Sequence, residues 1–341
     1  MSEPTLSKPP APFRVDAVLR TDVGRVRSEN QDFGVISTSE EERRGGHPGG
    51  RLFLVADGMG GHRGGATASR VAAETIKAQY LGSETSDVAI ALGEAVMRAN
   101  ARVFSEAAAN PDLRGMGTTT SALVVRGDQA WIAHVGDSRI YLVRDNAIEQ
   151  LTDDHSLVAS MVREGLLTAK EAEKHPRRNV LQRSVGVSEE VEIDLRGPLP
   201  IHEGDTFILC SDGLHGLVKE DELRQIAARP IGEAADEFIR LSLERGAPDN
   251  VTVIVVRVEL DRSEAVDSGH ATRAQSADAE LFDDTVRDTV ATREVPAPAP
   301  TGGAAPAAPE VKASTGNPVV KWMLVFVTIV GAAAAWFHWI P

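Results

Sequence analysis

One cysteine stands in a chain of 341 residues, so no intrachain disulfide and no cysteine-built zinc finger can form. Such a chain fits a reducing cytosol better than a secreted setting. Cations are also scarce: 36 Lys and Arg face 50 Asp and Glu, a formal net charge of −14. That balance disfavours a nucleic-acid binder, which needs clustered cations along the phosphate backbone. The nine histidines form no HExxH pair, which removes the common zinc-hydrolase helix. No Gly-Lys-Ser/Thr follows the glycines of Gly58–Gly65 (GMGGHRGG), which removes a Walker-type phosphate loop. A thiol phosphatase needs an arginine six residues beyond its cysteine, and beyond Cys210 that position is Gly216. Cys210 therefore reads as a small core residue. The first residues, MSEPTLSKPPAPFR, hold no apolar run, so no secretory signal is expected.

What is present divides the chain into three parts. Residues 13–260 carry alternating apolar and polar patterns and are long enough for one full hydrophobic core. Residues 261–317 hold ten acids against five bases and almost no large apolar side chains, with a Pro/Ala/Gly-rich stretch at Glu294–Glu310. Such a segment cannot bury enough apolar surface to offset chain entropy, so it reads as a disordered acidic linker. Residues 318–341 read as a C-terminal transmembrane anchor. The stretch Trp322–Trp339 (WMLVFVTIVGAAAAWFHW) is nearly free of charge. As a helix it would span about 27 Å, close to the hydrocarbon thickness of a bilayer. Trp322 at one end, with Trp336 and Trp339 at the other, suits the two interfaces.

Within residues 13–260 the apolar runs predict strands at Leu52–Ala56, Thr118–Val125, Trp131–Val135, Arg139–Val143, Val191–Leu195, Phe207–Cys210 and Val251–Val258. Gly127-Asp128 and Gly136-Asp137 punctuate three of them, which predicts an antiparallel meander. Ala-rich periodic segments predict helices at Gly65–Tyr80 and Asp87–Ala109, and later ones at Ser156–Glu164, Lys219–Ala228 and Gly232–Glu244. Strand hairpins with segregated helix pairs point to an α+β fold.

Five aspartates share one context, beside an apolar run and next to glycine or a small polar residue. They are Asp32 (SENQDFG), Asp57 (LVADGMGG), Asp137 (HVGDSRIY), Asp212 (ILCSDGLHG) and Asp249 (GAPDNVTVIV). A single Asp-Gly is usually a turn. Strands converging in one sheet bring their ends together, however, and carboxylates so gathered repel one another unless cations lie between them. Hard divalent cations such as Mg²⁺ or Mn²⁺ take oxygen ligands, so the set of five reads as a metal site.

These residues belong to an ordered series: Arg27-Ser-Glu-Asn-Gln-Asp32, Val-Ala-Asp57-Gly58-Met-Gly-Gly-His62, Gly117-Thr118-Thr119, Val-Gly136-Asp137-Ser138-Arg139, Leu-Thr-Asp-Asp-His155-Ser, Ser211-Asp212-Gly213-Leu and Asp249-Asn250-Val-Thr252. The series resembles the bacterial branch of the metal-dependent protein serine/threonine phosphatases, the PPM or type 2C family. The resemblance covers residues 13–260. It implies a four-layer α/β/β/α sandwich of two antiparallel β-sheets. It also implies Mn²⁺ or Mg²⁺ as cofactor: two core ions and a third. By resemblance Asp57 bridges the two core ions, the Gly58 carbonyl helps hold one, and Asp212 and Asp249 complete the other. Asp137 with Asp212 would hold the third, and Asp32 would support the pair through water. Arg27 would grip the substrate phosphate, and a hydroxide bridging the metals would attack phosphorus.

Two positions depart from the family pattern. Gln31 stands where glutamate is frequent, and Met59 stands where eukaryotic members place a histidine, the nearest here being His62. Residues 156–185 occupy the place of a flap beside the active site, with Lys170, Lys174, Arg177, Arg178 and Arg183 as candidate contacts for acidic substrate. The expected partners are phosphorylated proteins, a cognate Ser/Thr kinase and the membrane. The expected location is the inner (cytoplasmic) membrane, with the catalytic domain in the cytoplasm. The alternative reading is a catalytically weak phosphoprotein-binding module or a regulator acting on anti-sigma antagonists.

Overall fold

The computed structural model describes residues 13–38, 40–41 and 49–260, the side chains of His62 and Arg63 excepted. Two antiparallel sheets form its centre. In the first, the strand order is β1 (Phe13–Asp22), β11 (Val251–Leu260), β10 (Thr206–Cys210), β7 (Arg139–Arg144) and β8 (Ala147–Gln150). In the second it is β2 (Asp32–Ile36), β3 (Arg51–Met59), β5 (Thr120–Arg126), β6 (Gln129–Val135) and β9 (Asp194–Pro200). The two-residue β4 (Gly117–Thr118) pairs with the end of β3.

The alternation of side chains explains why so many strands read as unbroken apolar runs. Along β3, Leu52, Leu54 and Ala56 face one core, and Phe53 and Val55 face another. Along β11, Ile254, Val256 and Val258 pack between the sheets, and Val251, Val253 and Val255 pack outward. Both faces of each sheet are therefore covered, and no polar face is needed. The outer cover of the second sheet is α1 (Gly61–Leu81) with α2 (Val88–Ala109), through Ala68, Ala72, Ile76, Leu92 and Val96. The outer cover of the first is α6 (Glu220–Ala227) with α7 (Ile231–Glu244), through Leu223, Ile226 and Phe238. Between β8 and β9 come α3 (Leu157–Arg163) and α4 (Ala169–Ala172), and α5 (Asp212–His215) follows β10. The result is four layers, helix–sheet–sheet–helix, as the α+β expectation requires. Each fully buried large aliphatic or aromatic side chain contributes about 1.5–3 kcal/mol.

Four expectations need correction. β6 and β7 are not one meander: β6 ends in the second sheet and β7 begins in the first. The chain crosses between sheets at Gly136–Ser138, where Gly136 has φ +114° and a Cβ would meet Thr119 at 2.6 Å. Asp57-Gly58 reads in the sequence as a turn signal that ends the Leu52–Ala56 run, but β3 runs on through both residues to Met59. The strand expected at Val191–Leu195 lies at Asp194–Pro200, an edge strand with mostly exposed residues whose position follows its pairing with β6. β1, β2 and β8 were not expected. β1 alternates with charged residues and lies at a sheet edge, and β2 and β8 are short.

Cys210 is buried in the layer between the first sheet and its helices, where burial pushes its thiol up to about 12. The linker and the C-terminal apolar segment lie outside the described residues. Among the described residues no helix is long and apolar enough to cross a membrane.

Candidate active site

The ends of strands from both sheets meet at one cleft of about 400 Å³. Asp57 comes from β3, Asp137 from the crossing between the sheets, Asp212 from the start of α5, and Asp249 from the loop before β11. All four line the cleft, together with Arg27, Gln31, Gly58, Met59, Thr119, Asn179 and Leu181. Asn179 and Leu181 belong to the expected flap, so that segment does form one wall. Asp32 stands behind the wall: it is the register partner of Asp57 across β2 and β3, and its side chain is buried.

Backbone and hydroxyl contacts hold these groups in place. The Asp57 N–H donates to Thr119 Oγ1 at 2.9 Å, and the Thr118 hydroxyl donates to the Asp57 carbonyl at 2.9 Å. Thr119 Oγ1 also meets Ser138 Oγ at 2.7 Å, which ties the Asp57 strand to the Asp137 crossing. His215 Nε2 lies 3.0 Å from the Asp137 carbonyl, so the helical turn that carries Asp212 also braces Asp137. Ser211 Oγ donates to Asp32 Oδ2 at 2.7 Å. Asn250 stitches the N-terminal arm to the sheet: its Oδ1 accepts from the Gln31 N–H at 2.8 Å. Its Nδ2 donates to the carbonyls of Val23 and Glu29, each at 2.9 Å.

Arg27 projects from that arm and donates to Asp249 Oδ2 at 2.6 Å. This pairing sets a cation against Asp249, whose charge still acts on Asp212 and Asp57. Among the described residues no three such groups form a ready-made cation cage.

The electrostatics are those of crowded carboxylates. Burial, then the neighbouring charges, push Asp32 and Asp137 each up to about 7 and Asp212 up to about 6. Asp57 is pushed well above the usual range by burial and then by Asp32, Asp212, Asp137 and Asp249. The cluster holds protons that a solvated carboxyl would release.

His155 does not line the cleft. Its Nδ1 accepts from the Gly136 N–H at 3.1 Å, and its Nε2 faces Asp194 Oδ2 at 3.0 Å. Arg183 donates to the other oxygen of Asp194 at 2.8 Å and pairs with Glu192 at 3.1 Å, so it braces the base of the flap. Lys170, Lys174, Arg177 and Arg178 are exposed. Thr119, Asn179, Leu181 and Asn250 are site residues that sequence reasoning did not assign. The Gly117-Thr118-Thr119 and Asp249-Asn250 runs carry a local signal for two of them, and the expected flap at 156–185 contains the other two.

A family profile described as Protein phosphatase 2C matches residues 42–279. The chain belongs to the protein phosphatase 2C family. A serine/threonine phosphatase of Listeria monocytogenes is 38% identical over 252 residues, 72% of this chain and 96% of that protein. The crystal structure of the Mycobacterium tuberculosis serine/threonine phosphatase PstP is similar at TM-score 0.64 and 36% identity, over 72% of this chain and 99% of that one. A structure of the PstP catalytic domain with two manganese ions is similar at TM-score 0.62 and 33% identity, over 72% and 99%. This phosphatase is thus a bacterial-type serine/threonine phosphatase, of a family that depends on divalent metal.

The donor set of this phosphatase fits such cations. Asp32 Oδ1 and Asp212 Oδ1 are buried oxygens with no hydrogen-bond partner. Hard oxygen donors carrying suppressed charge are what a divalent ion would satisfy.

A pH dependence follows for the metal-free phosphatase. Carboxyls whose folded pKa is raised bind protons more tightly when folded, so their stabilisation is complete below about 4. It is lost as pH rises through 6 to 7, the values for Asp212, Asp32 and Asp137. In a chelator, thermal unfolding is expected several degrees lower at pH 8 than at pH 5, and Mn²⁺ should raise it more at pH 8. An unfolding temperature in chelator that is equal or higher at pH 8 would contradict the raised values.

Proposed function

We propose that this phosphatase hydrolyses phosphoserine and phosphothreonine esters of proteins with Mn²⁺ or Mg²⁺, opposing Ser/Thr kinases at the membrane. The observation that carries the reading is the convergence of Asp57, Asp137, Asp212 and Asp249 from four separate elements on one cleft that also holds Arg27. Asp57, Asp212, Asp249 and the Gly58 carbonyl would hold two core ions. Asp137 with Asp212 would hold a third, and Asp32 would support the pair from behind. When bound, the cations activate water near neutral pH and neutralise the phosphoryl oxygens.

The chain's own residues do the rest. The planar fork of Arg27 matches two phosphoryl oxygens, and a phosphate entering the cleft competes with Asp249 for it. Asn179 and Leu181 close one side of the cleft and orient the ester. Thr119 and Ser138 fix the Asp57 and Asp137 backbones so that the carboxylates need not reorganise. No histidine lines the cleft among the described side chains, so no general acid is assigned from them. Asp32, Asp212, Asp137 and Asp249 all crowd Asp57, an arrangement that a mere phosphoprotein-binding module would not need.

The location rests on the apolar stretch Trp322–Trp339 and on Lys312 and Lys321 before it, a weak bias toward a cytoplasmic catalytic domain. Protein truncated after Leu260 is expected to hydrolyse a phosphothreonine peptide only with Mn²⁺ or Mg²⁺, with the kinetics of the full chain. The full chain should sediment with membranes at low and high salt. Turnover undiminished in chelator would sink the metal reading, and a full chain that stays in the soluble fraction would sink the anchor.

A further inference from the structure

A second cavity, of about 440 Å³, lies at the C-terminal end of α2. Its lining is apolar, from Phe104, Ala107, Ala108, Pro111 and Val187, with the exposed Arg114 among the lining residues. Only a thin wall separates it from the catalytic cleft. Gly60 lines the cleft and Gly115 lines the groove. A Cβ on Gly60 would sit 2.9 Å from the Gly115 carbonyl oxygen. Met59 of the cleft and Val187 of the groove both touch Gly117: a Cβ there would meet Met59 Cε at 3.0 Å and Val187 Cγ2 at 2.6 Å.

The groove continues along a helix face. Met97 and Ile90 stand one and two heptads before Phe104 on α2, so the three share one side of the helix. Met97 and Ile90 are each 53% exposed, and Val187 is 47% exposed. Isolated exposed apolar residues carry no meaning, but a row that continues a groove marks a protein-binding surface.

We infer that this groove docks the segment of the phosphoprotein substrate that flanks the phosphorylated residue, taking one large apolar side chain, with Arg114 facing an acidic neighbour. The inference rests on the phosphatase reading and specifies its substrate class. Continuity with the cleft favours this occupant, because a peptide held by its phosphate at Arg27 must leave the cleft over one of its walls. A chain advancing about 3.3 Å per residue crosses a wall this thin within a few residues. Charge supports it too. Among the described residues the Arg114 side chain has no hydrogen-bond or ion-pair partner, in a protein of net charge −14.

The test uses the full-length phosphatase with Mn²⁺, p-nitrophenyl phosphate, and phosphothreonine peptides in which a Leu-Glu pair is moved from two to six residues on either side. One register on one side is expected to lower KM about tenfold relative to Ala-Ala, the effect of burying one aliphatic side chain. Val187→Asp and Arg114→Glu should each remove most of that gain and leave p-nitrophenyl phosphate kinetics unchanged. A flat response across all registers overturns the inference. So do variants that slow both substrates alike, and so does a chain whose α2 face is buried in a dimer at assay concentration. Failure of the wild-type protein to hydrolyse p-nitrophenyl phosphate with Mn²⁺ would count against the phosphatase reading itself.

Discussion

Replacing Asp57 by Asn is expected to lower kcat on the order of 10³-fold and, in the absence of metal, to make the protein more stable above pH 7. The two effects have one cause. Asp57 stands against four other carboxylates, and burial plus their charges oppose its ionisation. Asn has nearly the same shape and keeps a donor toward Asp212, whose charged form the Asp57 carboxyl stabilises by hydrogen bonding. It removes the repulsion and, with it, the negative charge proposed to hold both core ions. A gain in unfolding temperature in chelator with a loss of turnover is the signature of a site held under strain for function. Steady-state kinetics at saturating Mn²⁺ and thermal unfolding in chelator measure the two halves. Near-native kcat would refute the bridging role, and a large fall in metal-free stability would refute the electrostatic account.

Much of this site is legible in the amino-acid sequence, for a physical reason. Strands covered on both faces read as continuous apolar runs, so β3, β5, β6, β10 and β11 announce themselves, and the aspartates at their ends can be seen as a set. Edge strands lack that signal. β1 interleaves charge with apolar residues, and β9 is exposed along most of its length, so pairing partners, not composition, decide where they lie. The crossing at Gly136 is hidden because a Gly-Asp pair looks the same in a hairpin and in a switch between sheets. What distinguishes them is a left-handed Gly136 packed so closely on Thr119, a residue distant in sequence, that no side chain fits. Arg27 facing Asp249, Ser211 facing Asp32 and Asn250 stitching down the N-terminal arm join residues 222, 179 and 219 or more positions apart, which no local pattern encodes. His155 is ambiguous in the sequence for the same reason. Its bonds to Gly136 and Asp194 make it a brace for the flap and the Asp137 crossing.

The glycine after Asp57 should prove nearly as intolerant as the carboxylate. Gly58 lies in a strand, where glycine is normally a weakness, and its backbone is not left-handed. The constraint is space. A Cβ at Gly58 would fall 2.0 Å from the Gly65 carbonyl oxygen in α1 and 2.7 Å from that of Gln31. Gly65 is tight in return, since its own Cβ would lie 2.7 Å from the Gly58 carbonyl oxygen and from Gln31 Oε1. All the contacts at Gly58 are backbone atoms, so no flexible side chain can move away from a Cβ there. Gly58→Ala must push α1 or the Gln31 arm outward, and either shift displaces the Gly58 carbonyl beside Asp57. The expected cost is about 3 kcal/mol, a fall in unfolding temperature of roughly 10 °C. Turnover should be lost even well below that temperature, because the carbonyl proposed to face the metals has moved. Gly232→Ala is the control: nothing lies within 4 Å of its Cβ position in α7, and alanine is the better helix former. Thermal unfolding and kinetics of both variants decide the matter, and a Gly58→Ala protein that melts within about 2 °C of wild type would show that strand and helix separate there at little cost.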